Sequence, residues 1–316
     1  MAGLRVLHSL EQWESNWPAP VVTIGNFDGV HLGHQKIIRE VVARARRLRG
    51  TPVAITFDPH PSRILRAEQS PRLILTAFQK QALLAEAGIR VLIVLAFTRE
   101  LSLLSPEDFV RRVLCGSLSS REIYVGANFR FGHGQAGGVA TLEEMSARFG
   151  FRLEVVSPVE VRGEIVSSTR IRGLIQAGEV APAARLLGRP FALTGTVNPG
   201  HGVGRKLTVP TLNLTADQEL LPARGVYVTE TLLAGRRSPR PSLTNVGYRP
   251  TFGGDGLQIE THLLGKRQTI GVDHIEVRFH ARLRDERKFP SPEALKAQIL
   301  KDIERAESFF RRDHRR

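Results

Sequence analysis

Apolar residues in the first half of the chain fall into short, mostly continuous runs: Val21–Ile24, Val53–Phe57, Val91–Leu95, Glu122–Val125 and Leu153–Val156. Runs of this kind suit strands buried on both faces of a parallel sheet. Helical patterns separate them. Ile37, Ile38, Val41, Val42, Ala45 and Leu48 recur near the helical period, and Ala77–Ala87 stops at Gly88. Ser105-Pro106-Glu107-Asp108 reads as an N-cap with proline at the first helical position, leading through Phe109, Val110, Val113 and Leu114 to a stop at Gly116. Thr141–Phe149 ends at Gly150. This alternation predicts an α/β, doubly wound sheet, whose ligands lie outside the carboxyl ends of its strands.

The pattern changes after a short helix, Ala183–Leu187, with prolines on either side at Pro182 and Pro190. The domain boundary is placed there, giving domains 1–182 and 183–316. Beyond it come β-type runs at Phe191–Val197, Gly225–Leu233, Ser242–Val246, Gln258–Leu264 and His274–Leu283, punctuated by Gly and Pro. They predict a small, mostly antiparallel β-barrel. A last helix opens at Ser291-Pro292-Glu293, and its stripe of Leu295, Ile299, Ile303, Ala306 and Phe310 is assigned to packing on the barrel.

Length and composition narrow this picture. A chain of 316 residues exceeds one typical core. It holds no apolar run long enough to cross a bilayer, and its first residues lack the apolar core of a signal peptide. The single Cys115 lies on an apolar helical pattern and reads as a buried, inert thiol, which suits a reducing cytoplasmic location. The net charge of +14 would attract nucleic acid, an acidic membrane surface or phosphorylated substrates. Much of it sits on helix faces, as at Arg44, Arg46, Arg47 and Arg49, or in the tail Arg311–Arg316, and aromatic content is only 6%. Charge is therefore a weak argument for nucleic acid.

The densest chemistry lies in Val21-Val-Thr-Ile-Gly-Asn-Phe-Asp-Gly-Val-His-Leu-Gly-His34. A strand, a glycine-rich turn and a helix N-terminus make an anion site, because the first helical N–H groups lack internal partners and the peptide dipoles favour negative charge there. His31 and His34 are three apart, so one helical turn sets them side by side. Two imidazoles at that end suit a polyphosphate and can follow charge that develops on a leaving group.

His-x-Gly-His after a strand, preceded by Gly-x-Phe-Asp-Gly, resembles the nucleotidyltransferase superfamily. The version here is most similar to the adenylyltransferase half of bacterial bifunctional riboflavin kinase/FAD synthetases. The resemblance implies a Rossmann-like nucleotidyltransferase domain that binds ATP through Gly25, Phe27, Asp28 and Gly33, with His31 and His34 catalytic. Thr56-Phe-Asp-Pro-His-Pro61 then lines the flavin site through Phe57, Asp58 and His60. In Tyr124–Gly138, rich in glycine and phenylalanine, Phe129 meets the flavin, while Asn128 serves either a flavin edge or ATP. Val166-Ser-Ser-Thr-Arg-Ile-Arg172 starts a helix that Ser167, Ser168 or Thr169 can cap; the resemblance makes Ser168 and Thr169 ATP contacts and Arg172 the clamp over the triphosphate.

The second half resembles riboflavin kinases. Gly195–Asn213 is a glycine-rich loop leading into a strand, with Gly202, Gly204, Arg205 and Lys206 expected at ATP phosphates. Thr211 and Asn213 alternate onto one strand face, and their oxygens suit Mg²⁺. This stretch departs from the family signature at Thr208, Val209 and Leu212. Thr244–Phe252 and Ile259-Glu-Thr-His-Leu-Leu264 match the kinase pattern, and Glu260 takes the place of the general base. Gly265–Asp273 departs again. Gly225, Tyr227, Arg284 and Glu286 are expected at the flavin. The implied activity is phosphorylation of riboflavin to FMN followed by adenylylation of FMN to FAD, with Mg²⁺ as cofactor and ATP as co-substrate, by a cytoplasmic monomer or weak homo-oligomer that binds neither membrane nor nucleic acid. Two rivals stand beside it: a chain with only its adenylyltransferase half active, and a basic nucleic-acid-binding protein.

Overall fold

The computed structural model describes residues 3–14, 17–198, 209–248, 257–265 and 272–313. The chain forms two compact units, Met1–Ser168 and Thr169–Arg316.

The first unit is built on six parallel strands: β1 (Arg5–Leu7), β2 (Pro20–Ile24), β3 (Thr51–Asp58), β4 (Val91–Ala96), β5 (Glu122–Gly126) and β6 (Arg152–Val156). Their order is β1-β4-β3-β2-β5-β6. Every residue of β2 is buried, as its unbroken apolar run requires. From β2 the chain moves to β3 on one side, and β5 lies on the other. The order thus reverses at the carboxyl end of β2, where doubly wound sheets leave a ligand crevice. Helix α1 (Leu32–Leu48) follows β2 directly and buries Ile38, Val41 and Ala45. Arg44 on this helix makes a two-pronged ion pair with the buried carboxylate of Glu122 on β5, at 2.6 and 2.7 Å. It anchors α1 to the sheet and is not a purely solvated charge.

The remaining helices of this unit follow the sequence with local differences. Short α2 (Pro61–Leu65) follows β3, and α3 (Ala77–Glu86) starts with a full capping box between Thr76 and Gln79. Beyond α4 (Arg99–Ser102), α5 (Pro106–Phe109) is capped by Ser105 as its sequence predicts, but the chain then widens into a π-helical stretch, Val110–Ser117, passing through the expected stop at Gly116. Cys115 lies in that stretch; it is half-buried, and burial pushes its thiol upward, away from the reactive thiolate. Helix α6 (Val139–Phe149) precedes β6, and a small hairpin pairs β7 (Glu160–Val161) with β8 (Glu164–Ile165).

Helices α7 (Ser168–Gln176) and α8 (Val180–Leu187) precede the barrel. The barrel strands are β9 (Phe191–Asn198), β10 (Leu212–Ala216), β11 (Gly225–Leu233), β12 (Arg240–Tyr248), β13 (Leu257–Leu263) and β14 (His274–Arg284). They close in the order β10-β13-β12-β11-β14-β9, all antiparallel. Closure leaves no free sheet edge. Helix α9 (Pro292–Asp313) covers the outer face: Ala306 and Phe310 pack with Val226, Val228 and Leu243. The alternate residues of β11, Tyr227, Thr229 and Thr231, therefore face the interior. There the hydroxyls of Thr231, Ser242, Thr229, Thr244 and Thr261 form a buried chain of hydrogen bonds at 2.7–2.9 Å. Each hydroxyl satisfies its neighbour, which is what makes a polar barrel interior tolerable.

Candidate functional site

The first unit's site grows from the turn after β2. Gly25 donates to Ile55 on β3, Phe27 and Val30 take left-handed backbone conformations (φ 49° and 37°), and Gly29 stands at φ 86°. This tight path buries Phe27 beneath Gly25, where any Cβ would lie 3.4 Å from its ring. The Phe27 ring meets His34 edge-on at 5.3 Å. His31 is the N-cap of α1, and its Nδ1 accepts from the His34 backbone N–H at 3.4 Å. That bond leaves the proton of neutral His31 on Nε2. The two imidazoles stack with centroids 3.6 Å apart and planes 16° apart. Gly33 permits this, since a Cβ there would come within 3.2 Å of the His31 ring. His34 is held well below the usual histidine range, first by burial and then by the neighbouring His31 and Lys80. Its Nδ1 is shielded and has no hydrogen-bond partner among the described residues.

Asp28 is buried, and its carboxylate accepts the amides of Ile74, at 3.0 and 3.2 Å, and Leu75, at 3.3 Å. The Asp28 carbonyl accepts from the Ser168 hydroxyl at 2.8 Å. This one residue therefore ties the histidine-bearing turn both to the segment before α3 and to Ser168 at the end of the first unit. Thr169 and Arg172 follow on α7, Arg172 one turn beyond Ser168.

The other expected residues lie at strand ends. Phe57 and the exposed Asp58 close β3, and Phe57 packs edge-on against Phe97 at 5.5 Å. His60 caps α2, with its Nδ1 facing the Ser62 amide and hydroxyl. The peptide bond between Asp58 and Pro59 is cis. Exposed Asn128 follows β5, and a Cβ added at Gly126 would lie 3.3 Å from its Oδ1 and 3.6 Å from Ile37 Cδ1 of α1. Phe129 stacks on Phe131 at 5.5 Å. His31, His34, Phe57, Asp58 and Asn128 thus occupy the carboxyl ends of β2, β3 and β5, three adjacent strands.

In the second unit, strand register gathers the polar residues. Asn213 of β10 pairs with Glu260 of β13, and Glu260 pairs with Asn245 of β12. One rung across three strands therefore carries amide, carboxylate and amide on the barrel's outer face. Paired residues of adjacent antiparallel strands stand about 5 Å apart at Cβ. Glu286, just past β14, lays its carboxyl group over Gly247; a Cβ at Gly247 would lie 2.8 Å from Glu286 Cδ and 3.1 Å from Asn245 Nδ2. Asn245 was not singled out from the sequence. Its signal was the alternation of β12, which sets it on the face of Asn213 and Glu260.

Several expected contacts require correction. The Phe27 side chain is almost wholly buried, so it serves as a floor for His34 and has no face for ATP. The Asp28 carboxylate is engaged by backbone amides and organises the turn. Tyr227 is fully buried inside the barrel, stacked edge-on against Phe279, with its hydroxyl donating to the Ala223 carbonyl. Burial pushes that phenol up to about 12, and no surface remains for a flavin. Arg284 pairs with the buried Asp302 of α9 at 2.8 and 2.9 Å and lies over Phe289, so it holds the last helix. Thr211 precedes β10, which begins at Leu212; only Asn213 lies within the strand. Gly225 opens β11 at φ 158° with the Arg284 carbonyl closely opposed. Gly202, Gly204, Arg205, Lys206 and Thr208 lie outside the described residues, as does most of the divergent stretch between Gly265 and Asp273.

Comparison with known proteins gives each unit a counterpart. Residues 14–170 match the FAD synthetase family model and residues 187–310 the riboflavin kinase model. The chain is 33% identical over 308 residues to a bifunctional riboflavin kinase/FMN adenylyltransferase of Escherichia coli K12, covering 97% of each. It is 37% identical over 284 residues to the protein of the same description from Pseudomonas fluorescens, covering 90% of each. Among solved structures it is similar to one titled as a macrolide-efflux protein from Streptococcus pneumoniae, with TM-score 0.85, 28% identity and coverage of 96% of this chain and 98% of that one. Among the described residues no helix is long and apolar enough to cross a membrane.

Proposed function

The chain belongs to the bifunctional riboflavin kinase/FMN adenylyltransferase family, with an FAD synthetase domain followed by a riboflavin kinase domain, and from that premise we propose a division of labour among its residues. The enzyme makes FMN from riboflavin and ATP, and FAD from FMN and ATP. In our reading the functional boundary falls between residues 182 and 183.

In adenylylation, the FMN phosphate attacks the α-phosphorus of ATP and pyrophosphate leaves. His31 presents Nε2–H to the triphosphate, and the α1 N-terminus adds its backbone donors. Shielded His34 supplies a second nitrogen that gains a proton readily once negative charge is beside it. Gly25 and Gly33 keep the approach open; Ser168, Thr169 and Arg172 serve the phosphates; Phe57, Asp58, His60, Asn128 and Phe129 receive the flavin. The stacked imidazole pair at the strand-order reversal carries this assignment. Positioning and electrostatics then account for the rate, without a covalent intermediate.

In the kinase domain, Glu260 takes the proton of the ribityl 5′-hydroxyl as its oxygen attacks the γ-phosphorus, and ADP leaves. Asn213 and Thr211 offer amide and hydroxyl oxygens, a donor set that fits Mg²⁺. With only these two neutral protein donors, Mg²⁺ would take its remaining ligands from ATP phosphates and water. Gly202, Gly204, Arg205 and Lys206 remain the proposed ATP loop, and Gly225 and Glu286 the proposed flavin contacts. We place the enzyme in the cytoplasm as a monomer or weak homo-oligomer without nucleic-acid partners.

The test is incubation of the purified protein with riboflavin, ATP and Mg²⁺, followed by chromatography. FMN and then FAD are expected. Absence of both overturns the reading, and accumulation of only one product assigns activity to one domain.

A further inference from the structure

Lys80 is a charged group of the first unit that the mechanism above does not use. It lies one turn before Leu84, which is fully buried, so the spacing of α3 turns Lys80 toward the sheet as well. Phe78, at 78% exposed, marks the opposite face. The start of this helix is fastened to the histidine-bearing turn, because Asp28 holds the amides of Ile74 and Leu75 immediately before the Thr76 cap. The Lys80 amine lies within electrostatic reach of Asp28, Asp58 and His34. Yet the Asp28 oxygens are occupied by backbone amides, and among the described residues the amine makes neither a hydrogen bond nor an ion pair. Lys80 is partly buried, and a cation partly withdrawn from water without a partner favours a ligand that brings the opposite charge.

The anion-binding end of α1 needs such a charge. His34 is kept neutral in the free protein, so the stacked imidazoles offer donors but little net charge. We propose that Lys80 is a third phosphate-binding group of the adenylyltransferase site, reaching the ATP triphosphate from α3 alongside His31 and His34. The proposal rests on the adenylyltransferase reading of this site. Before ATP binds, Asp28 and Asp58 favour the charged amine against burial, while Lys80 and His31 together disfavour protonation of His34. The entering triphosphate gives Lys80 its partner and offsets the repulsion on His34.

The experiment compares full-length wild type with Lys80→Met and Lys80→Arg. FAD formation from FMN is measured against ATP concentration and pH, and FMN formation from riboflavin is the internal control. For Lys80→Met, KM for ATP in FAD formation should rise about tenfold or more, the loss of one charge-assisted hydrogen bond. Lys80→Arg should recover most of it, and FMN formation should stay unchanged in both. Removing a like charge raises the His34 pKa, and His34 acts protonated beside the triphosphate, so the basic limb of the FAD pH profile should move to higher pH in Lys80→Met. A merely structural lysine would lower the amount of folded enzyme and leave both KM for ATP and the basic limb in place; that result overturns the proposal. Wild type that makes no FAD removes the adenylyltransferase reading, and Lys80's role with it.

Discussion

His34 stacks on His31 at 3.6 Å between centroids while its own Nδ1 is shut away from solvent. Protonating His34 in the free protein means placing charge in a desolvated site beside a second imidazole and Lys80. Its folded pKa is therefore below its unfolded value, and the unfolded chain binds the proton more readily. The sign follows: the folded state holds its full stability above about pH 6.5, the unfolded histidine value, and loses it progressively as pH falls toward the depressed folded pKa. Thermal unfolding of the first unit should drop across that window, and the drop should be smaller in His34→Gln. Calorimetry of a non-hydrolysable ATP analogue in buffers of different ionisation heat should show more proton uptake by wild type than by His34→Gln. Equal uptake would place the proton elsewhere.

The two active sites should fail separately. His31→Ala removes a phosphate donor that is also the N-cap of α1, and kcat for FAD formation should fall about 100- to 1000-fold, while FMN formed from riboflavin accumulates. Glu260→Gln should lower FMN formation by about 100-fold or more while leaving FAD formation from supplied FMN intact. Product chromatography with each substrate checks both. Loss of both activities in either folded variant would contradict the division proposed here.

The sequence made the sheet legible because its strands are continuous apolar runs, and β2 to β6 fall within two residues of their expected bounds. Three-residue β1 is too short to show a period. The β7–β8 hairpin turns through Arg162 and Gly163, both left-handed, without the asparagine or aspartate that usually marks such a turn. Within the sites, motif spacing located the residues but not what their side chains do. A phenylalanine or aspartate inside a ligand-binding turn reads as a contact, whereas burial of Phe27 and the amide bonds of Asp28 make both of them scaffold. Lys80 was missed because a lysine on a helix ordinarily reads as solvated; its spacing from Leu84 was the available signal.

Gly247 gives the kinase rung a direct test. Its missing side chain is the space that the Glu286 carboxyl group fills beside Asn245. Alanine there would displace the end of a flexible side chain, so the fold should tolerate it, with a change in melting temperature of about 2 °C or less. If Glu286 acts at the riboflavin site, Gly247→Ala should lower kinase kcat/KM for riboflavin about tenfold and leave adenylylation unchanged. Unchanged kinase activity would make Glu286 a bystander.

Arg284 and Asp302 carry a different prediction, because their link is structural. Asp302 is 1% exposed and accepts from Arg284 at 2.8 and 2.9 Å, while Gln298 donates to its other oxygen at 2.8 Å. The pair fastens α9 to the end of β14, next to the packing of Ala306 and Phe310 on Val226 and Val228. Asp302→Ala leaves the Arg284 charge largely buried without its partner, and breaking a buried pair in this way costs about 3–5 kcal/mol. Replacing both residues by apolar ones of similar volume, Arg284→Met with Asp302→Leu, removes the stranded charge and should recover most of that loss. Denaturant unfolding of the three variants measures both steps. A single variant as stable as wild type would show that α9 is held by its apolar face alone, whereas a double variant no better than the single would show that Arg284 also contributes through Phe289 and the Asp285 carbonyl.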